Sequence, residues 1–216
     1  MKHIKFAFFY LVGRVTSGTN NKQNEGFGQK LETFAKMRKL FVEKFGWLDI
    51  DGDVEHDRYD DFDETLYMLA TYRGDVIAGV RVTQSRLYQS LSLSMFEDKQ
   101  VKKAKTLIPD EDVLDVTRLV NEYLASGRKK LASKALTLKI LKRLAHEFEE
   151  SSLNFIFTVE DRFIRLLDRH KVEHRIIIQQ PNMNFVMIKT DQLSQHMGSK
   201  GLRYISSKHA KAGRRE

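Results

Sequence analysis

The chain has 216 residues, 41% of them hydrophobic, with 37 Lys and Arg against 29 Asp and Glu and a formal charge of +8. That length and balance fit one folded domain with tails and exclude a disordered chain. There is no cysteine, which excludes disulfides, thiolate metal sites and a cysteine nucleophile, and suits a cytoplasmic location.

At the N-terminus, Lys2 and Lys5 precede the apolar run Phe6 to Val12. Seven residues are too few to span a bilayer, and no small-residue cleavage pattern follows, so the run is expected to be a buried strand rather than an export signal. Residues 16–30 are rich in Gly, Asn, Ser and Thr and predict a mobile loop. Apolar Leu31, Phe34, Met37, Leu40, Phe41 and Phe45 then recur at helical spacing up to Gly46.

An acidic segment follows. Nine acids lie between Asp49 and Glu64 with only Arg58 among them, so this window carries −8 and the other 200 residues carry +16. Two partners of opposite charge are therefore expected, although a solvated acidic loop would give the same count. As a calcium loop the spacing fails, because Gly52 and Asp60 stand where an EF-hand has neither.

Beyond it, 66–72 and 76–83 read as a hairpin around Arg73-Gly74-Asp75, and 99–112, with Pro109, as a connection. Residues 115–120 suit a strand and 131–148 a strongly amphipathic helix. A strand at 155–159, a helix at 160–170 and strands at 175–179 and 184–188 complete the pattern. The predicted class is α/β or α+β, in one domain. The domain plan is an N-terminal strand and loop over 1–30, a folded domain over 31–191 and a basic tail over 192–216.

The spacing of His170 and His174 lacks the Glu of a zinc-protease motif, and no serine elbow or P-loop is present, so no metal is expected. One constellation remains. It runs F-V-E-K-F-G-W at 41–47, E-x-D-x-Y-D over Glu55, Asp57, Tyr59 and Asp60, A-G-V-R at 78–81, Phe96 after a short apolar run, and D-V-T-R at 115–118.

In that order the motifs resemble the acyl-homoserine-lactone synthases, the LuxI-type autoinducer synthases of quorum sensing, over roughly residues 34–190. The family's first Arg falls on Met37, with Arg38 one position away. The Glu of its E-L-S-R is Asp115 here, one methylene shorter. The resemblance implies a GNAT-like acyltransferase fold, a mixed central sheet flanked by helices with a V-shaped cleft between helices. The reaction it implies joins an acyl chain from acyl carrier protein to the amine of S-adenosylmethionine. Lactonisation then releases 5′-methylthioadenosine. No cofactor is needed beyond that substrate, no nucleic acid is bound and no membrane span is expected.

The implied catalytic residues are Asp57, Asp60, Arg81, Asp115 and Arg118. The aspartates at 57 and 60 would hold the substrate ammonium or order the loop. Arg81 and Arg118 would bind a carboxylate, either the substrate's or that of Asp57, Asp60 and Asp115, and Asp115 would be the general base, acting through a water given its shorter reach. Substrate contacts fall on Phe41, Trp47, Phe96, Arg38, Thr117 and Thr158, the last at a position linked to 3-oxo-acyl preference. Arg128, Lys129, Lys130, Lys142 and Arg143, with Lys134 and Lys139, form a basic region suited to acidic carrier protein. Leu131 stands where a coenzyme-A-binding loop would need Gly, which disfavours acyl-coenzyme A as the donor. Arg118→Ala and Asp60→Ala are both expected to abolish product with the fold intact. The alternatives are a GNAT-like N-acyltransferase for another amine, and a basic nucleic-acid-binding module.

Overall fold

The computed structural model describes residues 8–13, 21–44, 53, 57, 60, 65–121, 130–181 and 183–193. Strand β1 (Phe8–Gly13) is followed by helix α1 (Asn21–Lys44) and by the hairpin of β2 (Thr65–Tyr72) and β3 (Asp75–Arg86). A 3-10 turn (Leu87–Gln89), the one-turn helix α2 (Leu91–Ser94) and helix α3 (Asp98–Leu107) lead into β4 (Asp112–Asn121). Helix α4 (Lys130–Glu147), β5 (Asn154–Val159), α5 (Asp161–Arg169), β6 (Arg175–Gln180) and β7 (Met183–Lys189) complete the chain.

Two stretches differ from expectation. The loop expected over 16–30 is helical from Asn21 onward. Its polar residues do not break the helix, and at Gly28 a Cβ would meet nothing within 4 Å. The connection expected over 99–112 contains α3. That helix buries only a thin apolar stripe around Ala104 and Ile108, too sparse for periodicity to register. Its start is marked by Glu97, whose N–H donates to Gln100 Oε1 at 3.2 Å, and Pro109 stands just past its end.

The seven strands run in the order β1-β2-β3-β4-β5-β7-β6. All neighbours are antiparallel except β4 and β5. The β2–β3 turn places Arg73 and Gly74 at φ of 54° and 93°, the left-handed pair that a two-residue hairpin requires. Helices α4 and α5 cover one face, where Leu136, Ile140, Leu141, Leu144 and Leu167 pack on Val80, Val82, Leu114, Val116, Phe155 and Phe157. The other face carries two separate apolar clusters. Phe34, Met37, Phe41 and Val42 of α1 cover Tyr67, Leu69 and Val120 at one end. At the other end Leu87, Leu93, Phe96 and Ala104 cover Val113, Ile156 and Phe185. Among the described residues no helix is long and apolar enough to cross a membrane.

Gly79 lets α1 approach the sheet. A Cβ there would stand 2.6 Å from Phe34 Cε2 and 2.9 Å from Leu69 Cδ2, both fully buried side chains. Gly79→Ala is therefore expected to cost about 1–3 kcal/mol through overpacking, read as a lower urea midpoint with unchanged slope; an unchanged midpoint would refute the close approach.

Two irregularities shape the space between the clusters. Arg81 pairs with Thr117 but Gly79 pairs with Val120, so Arg118 and Leu119 together oppose Val80. This is a bulge on β4, with Arg118 at φ 55°. The parallel pairing of β4 with β5 stops at Asp115↔Ile156. Beyond it β4 pairs only with β3 and β5 only with β7, so the two strands part. The V-shaped opening thus lies within the sheet, between β4 and β5, and not between helices as expected.

Candidate active site

Between the two apolar clusters the sheet presents polar side chains. Register aligns Tyr67 of β2, Arg81 of β3 and Thr117 of β4 in one row on this face. Arg81 and Arg38 are buried, at 0% and 2% exposed, and a guanidinium survives there only when paired.

Asp60 is the centre of that pairing. Its Oδ1 and Oδ2 accept from Nη1 and Nη2 of Arg38, both at 2.8 Å, a two-pronged bond across 22 residues of sequence. Oδ1 also accepts from the Tyr67 hydroxyl at 2.6 Å and from Arg81 Nη1 at 2.9 Å. Asp57 accepts from Arg81 Nη1 at 2.7 Å and from Arg118 Nη2 at 3.2 Å. The three-residue spacing of these aspartates has a local cause. The Asp60 N–H donates to the Asp57 carbonyl at 2.9 Å, and the Asp57 N–H donates to Asp60 Oδ2 at 2.9 Å. Thr117 Oγ1 accepts from Arg81 Nε at 3.0 Å and fixes the plane of the guanidinium.

Burial opposes ionisation of Asp60, but the Arg38 bond and charge and then the Arg81 charge overcome it and hold its carboxyl well below the usual range. Asp57 is lowered against the same burial penalty by Arg81 first and Arg118 last. Tyr67 is raised by burial and by its bond to Asp60, so it stays a donor. The charges of Asp57 and Asp60 are thus taken up by arginines.

Asp115 behaves differently. It lies on β4 at the last residue paired to β5 and is 1% exposed. Its Oδ2 accepts from the Ser92 N–H at 3.1 Å and its Oδ1 from the Ser92 hydroxyl. Burial pushes its carboxyl up to about 6, against the opposing Ser92 bonds and the Arg81 charge. A carboxyl raised on folding costs stability as pH rises, from its ordinary value of 3.8 through about 6, the reverse of Asp60. Thr158, on β5 beyond the parting point, donates its hydroxyl to the Ser92 carbonyl at 2.7 Å.

The backbone can now be set beside known folds. No protein-family model matches the chain, and no curated protein matches its sequence. Among solved structures, the acyl-homoserine-lactone synthase LasI matches 91% of this chain and 98% of its own, with 15% identity and a TM-score of 0.63. BjaI, a CoA-dependent acyl-homoserine-lactone synthase solved with MTA, matches 90% of this chain and 91% of its own, with 15% identity and a TM-score of 0.65. The fold is that of the acyl-homoserine-lactone synthases. It also extends to FeeM, an N-acyl amino acid synthase from uncultured soil microbes, over 89% of this chain and 95% of that one, at 6% identity and a TM-score of 0.60. The expected mixed sheet flanked by helices is met.

On this synthase fold the residues expected at the site divide into three groups. Arg38, Asp57, Asp60, Arg81, Thr117 and Arg118 meet in one network, and Asp115 and Thr158 meet through Ser92. Phe41 and Phe96 are buried in the apolar clusters on either side, Phe96 edge-on to Phe185 at 6.0 Å between ring centres. The departure at Met37 is resolved in the same place. Met37 joins the apolar cluster while Arg38 turns to Asp60, so the neighbouring residue provides the guanidinium. On α4, Arg143 pairs with Glu147, and Lys142 is half-buried. Trp47, Arg128, Lys129 and the side chains of Lys130 and Lys134 lie outside the described residues.

Two members were not foreseen. Tyr67 is signalled only by its cross-strand pairing with Arg81, which needs the register. Ser92 sits in a run of alternating Ser and Leu and carries no motif at all. Among the described residues no group of three or more His, Asp or Glu is placed to hold a metal ion.

Proposed function

We propose that the protein is an acyl-homoserine-lactone synthase that acylates the amine of S-adenosylmethionine. The observation carrying this reading is the coincidence of motif, network and fold. Residues of E-x-D-x-Y-D, A-G-V-R and D-V-T-R, far apart in sequence, converge beside a parted β4–β5 pair on the backbone of known synthases.

In the reaction, the amine nitrogen attacks the thioester carbonyl, the C–S bond breaks and the thiol leaves. A proton of the amine passes to Asp115, whose buried carboxyl has the affinity of a base working near neutrality. The substrate carboxylate is received on the Arg81–Arg118 side of the network, since Asp57 and Asp60 are already engaged by arginines. That carboxylate then attacks the carbon beside the sulfonium, closing the lactone and expelling 5′-methylthioadenosine. The acyl arm enters between β4 and β5, past Thr158, with Trp47, Phe41, Phe96, Arg38 and Thr117 enclosing the substrates or holding those that do. Acyl carrier protein is the donor in this reading, docked on Arg128, Lys129, Lys130, Lys142 and Arg143. The catalytic domain spans 31–191, flanked by an N-terminal arm and a basic tail, and the setting is cytoplasmic.

FeeM favours one second reading, acylation of an ordinary amino acid on the same fold. The deciding experiment supplies S-adenosylmethionine with mixed acyl carrier protein and coenzyme A thioesters, followed by mass spectrometry. An acyl-homoserine lactone with equimolar 5′-methylthioadenosine is expected. An N-acyl amino acid without 5′-methylthioadenosine would establish the second reading, and no lactone from any thioester would overturn the first.

A further inference from the structure

The geometry points to Ser92 as the positioning residue of the site: it holds the Asp115 carboxylate in place at the fork of β4 and β5 and couples it to the far strand. This rests on the synthase reading for its consequence in catalysis, but not for its physical basis.

Ser92 makes three bonds to the two parting strands. Its N–H and its hydroxyl both donate to Asp115 on β4, and its carbonyl accepts from Thr158 on β5. It bridges the strands at the fork, joining Asp115, the last paired residue of β4, to Thr158, two residues beyond Ile156, the last paired residue of β5. The bridge is fixed from behind. Ser90 donates its hydroxyl to the Leu87 carbonyl at 2.7 Å and accepts the Leu93 N–H at 3.3 Å, and Leu87 and Leu93 are buried in the adjacent cluster. Ser90 and Ser92 are themselves 1% exposed. A buried carboxylate needs donors on both oxygens, and here one residue provides them. Asp115 is one methylene shorter than Glu, so its oxygens stay near β4, where this short helix reaches them.

The remaining surroundings of Asp115 are simple. Arg81 on β3 is the charged group acting on it, the Leu91 N–H adds a further favourable bond, and Thr83 and Ile156 face it across β3 and β5 without titrating. The Ser92 hydroxyl stabilises the ionised carboxylate, so its loss must raise the proton affinity of Asp115.

The test measures lactone formation by the full chain at saturating substrates from pH 5 to 9. Ser92→Ala is expected to move the acid limb of kcat up by about one pH unit, a roughly tenfold relative loss at acid pH, with KM for S-adenosylmethionine within about twofold. Ser92→Thr, which keeps the hydroxyl, is expected to restore the limb. Equal loss at every pH with an unmoved limb would make Ser92 merely structural and overturn the proposal. A readout independent of activity is the carbon-13 titration of the Asp115 carboxyl, assigned by its disappearance in Asp115→Asn. Its midpoint is expected to rise in Ser92→Ala, or in Ser92→Cys if the alanine variant does not fold, and a fixed midpoint refutes the assignment. A wild-type protein that makes no lactone would remove the synthase reading, while the titration would still decide the role of Ser92.

Discussion

Asp60→Ala is expected to destabilise the protein by about 3–5 kcal/mol, because it removes the carboxylate that two buried guanidinium groups share. Arg38 and Arg81 both donate to this carboxylate and are essentially without solvent contact, as is Asp60 at 6% exposed. For a chain of this size that loss lowers the thermal midpoint by on the order of 10 °C. The variant is therefore expected to lose stability as well as product, whereas the sequence alone predicts loss of product with the fold intact. Calorimetry of Asp60→Ala beside Arg38→Met/Asp60→Ala checks the cause. The double variant should recover part of the loss, since one orphaned charge goes with its partner. A single variant within about 1 kcal/mol of wild type would show that the network contributes little. The pH dependence has a definite sign. Asp60 is held below its usual range, so the stability it provides is present above its unfolded value and is lost as pH falls.

Arg118 is expected to separate activity from stability. It is 12% exposed, its bond to Asp57 is long at 3.2 Å, and Asp57 keeps Arg81 when it is gone. Arg118→Ala should lower lactone formation by about 10²-fold with little change in melting. Arg118→Gly should be as inactive and more stable than the alanine variant, because glycine carries no penalty at φ 55°. Initial rates of 5′-methylthioadenosine release with thermal melts decide both points. Near-normal turnover in either variant would remove Arg118 from the site, and a glycine variant melting below the alanine variant would remove the strain.

What the sequence discloses follows the strength of its physical signals. Helix α4 is legible from its periodic apolar face, and the β2–β3 hairpin from apolar strands on either side of Arg73-Gly74. Helix α3 is not, since a few small apolar positions among lysines leave no contrast. The motif residues of the network are legible as residue types, but their partners are not. The alternation in D-V-T-R-L-V would place Arg118 on the face opposite Thr117. Only the bulge, which no local propensity announces, turns it toward Asp57. Reading Asp57 and Asp60 as ligands for a cation likewise assumed that they faced solvent. Tertiary placement of three arginines, Arg38, Arg81 and Arg118, beside them reverses that charge.

The two apolar clusters on the site face share no member, and a polar network lies between them. That division makes the protein mechanically uneven. Helix α1 is held by its own set of apolar side chains and by the buried Arg38–Asp60 ion pair, whereas β3 and β4 are packed on both faces. Amide exchange in α1 is therefore expected to proceed through a sub-global opening at lower free energy than that of the sheet. The wall of the site formed by α1 would then lift as a unit, while the fork between β4 and β5 keeps its shape.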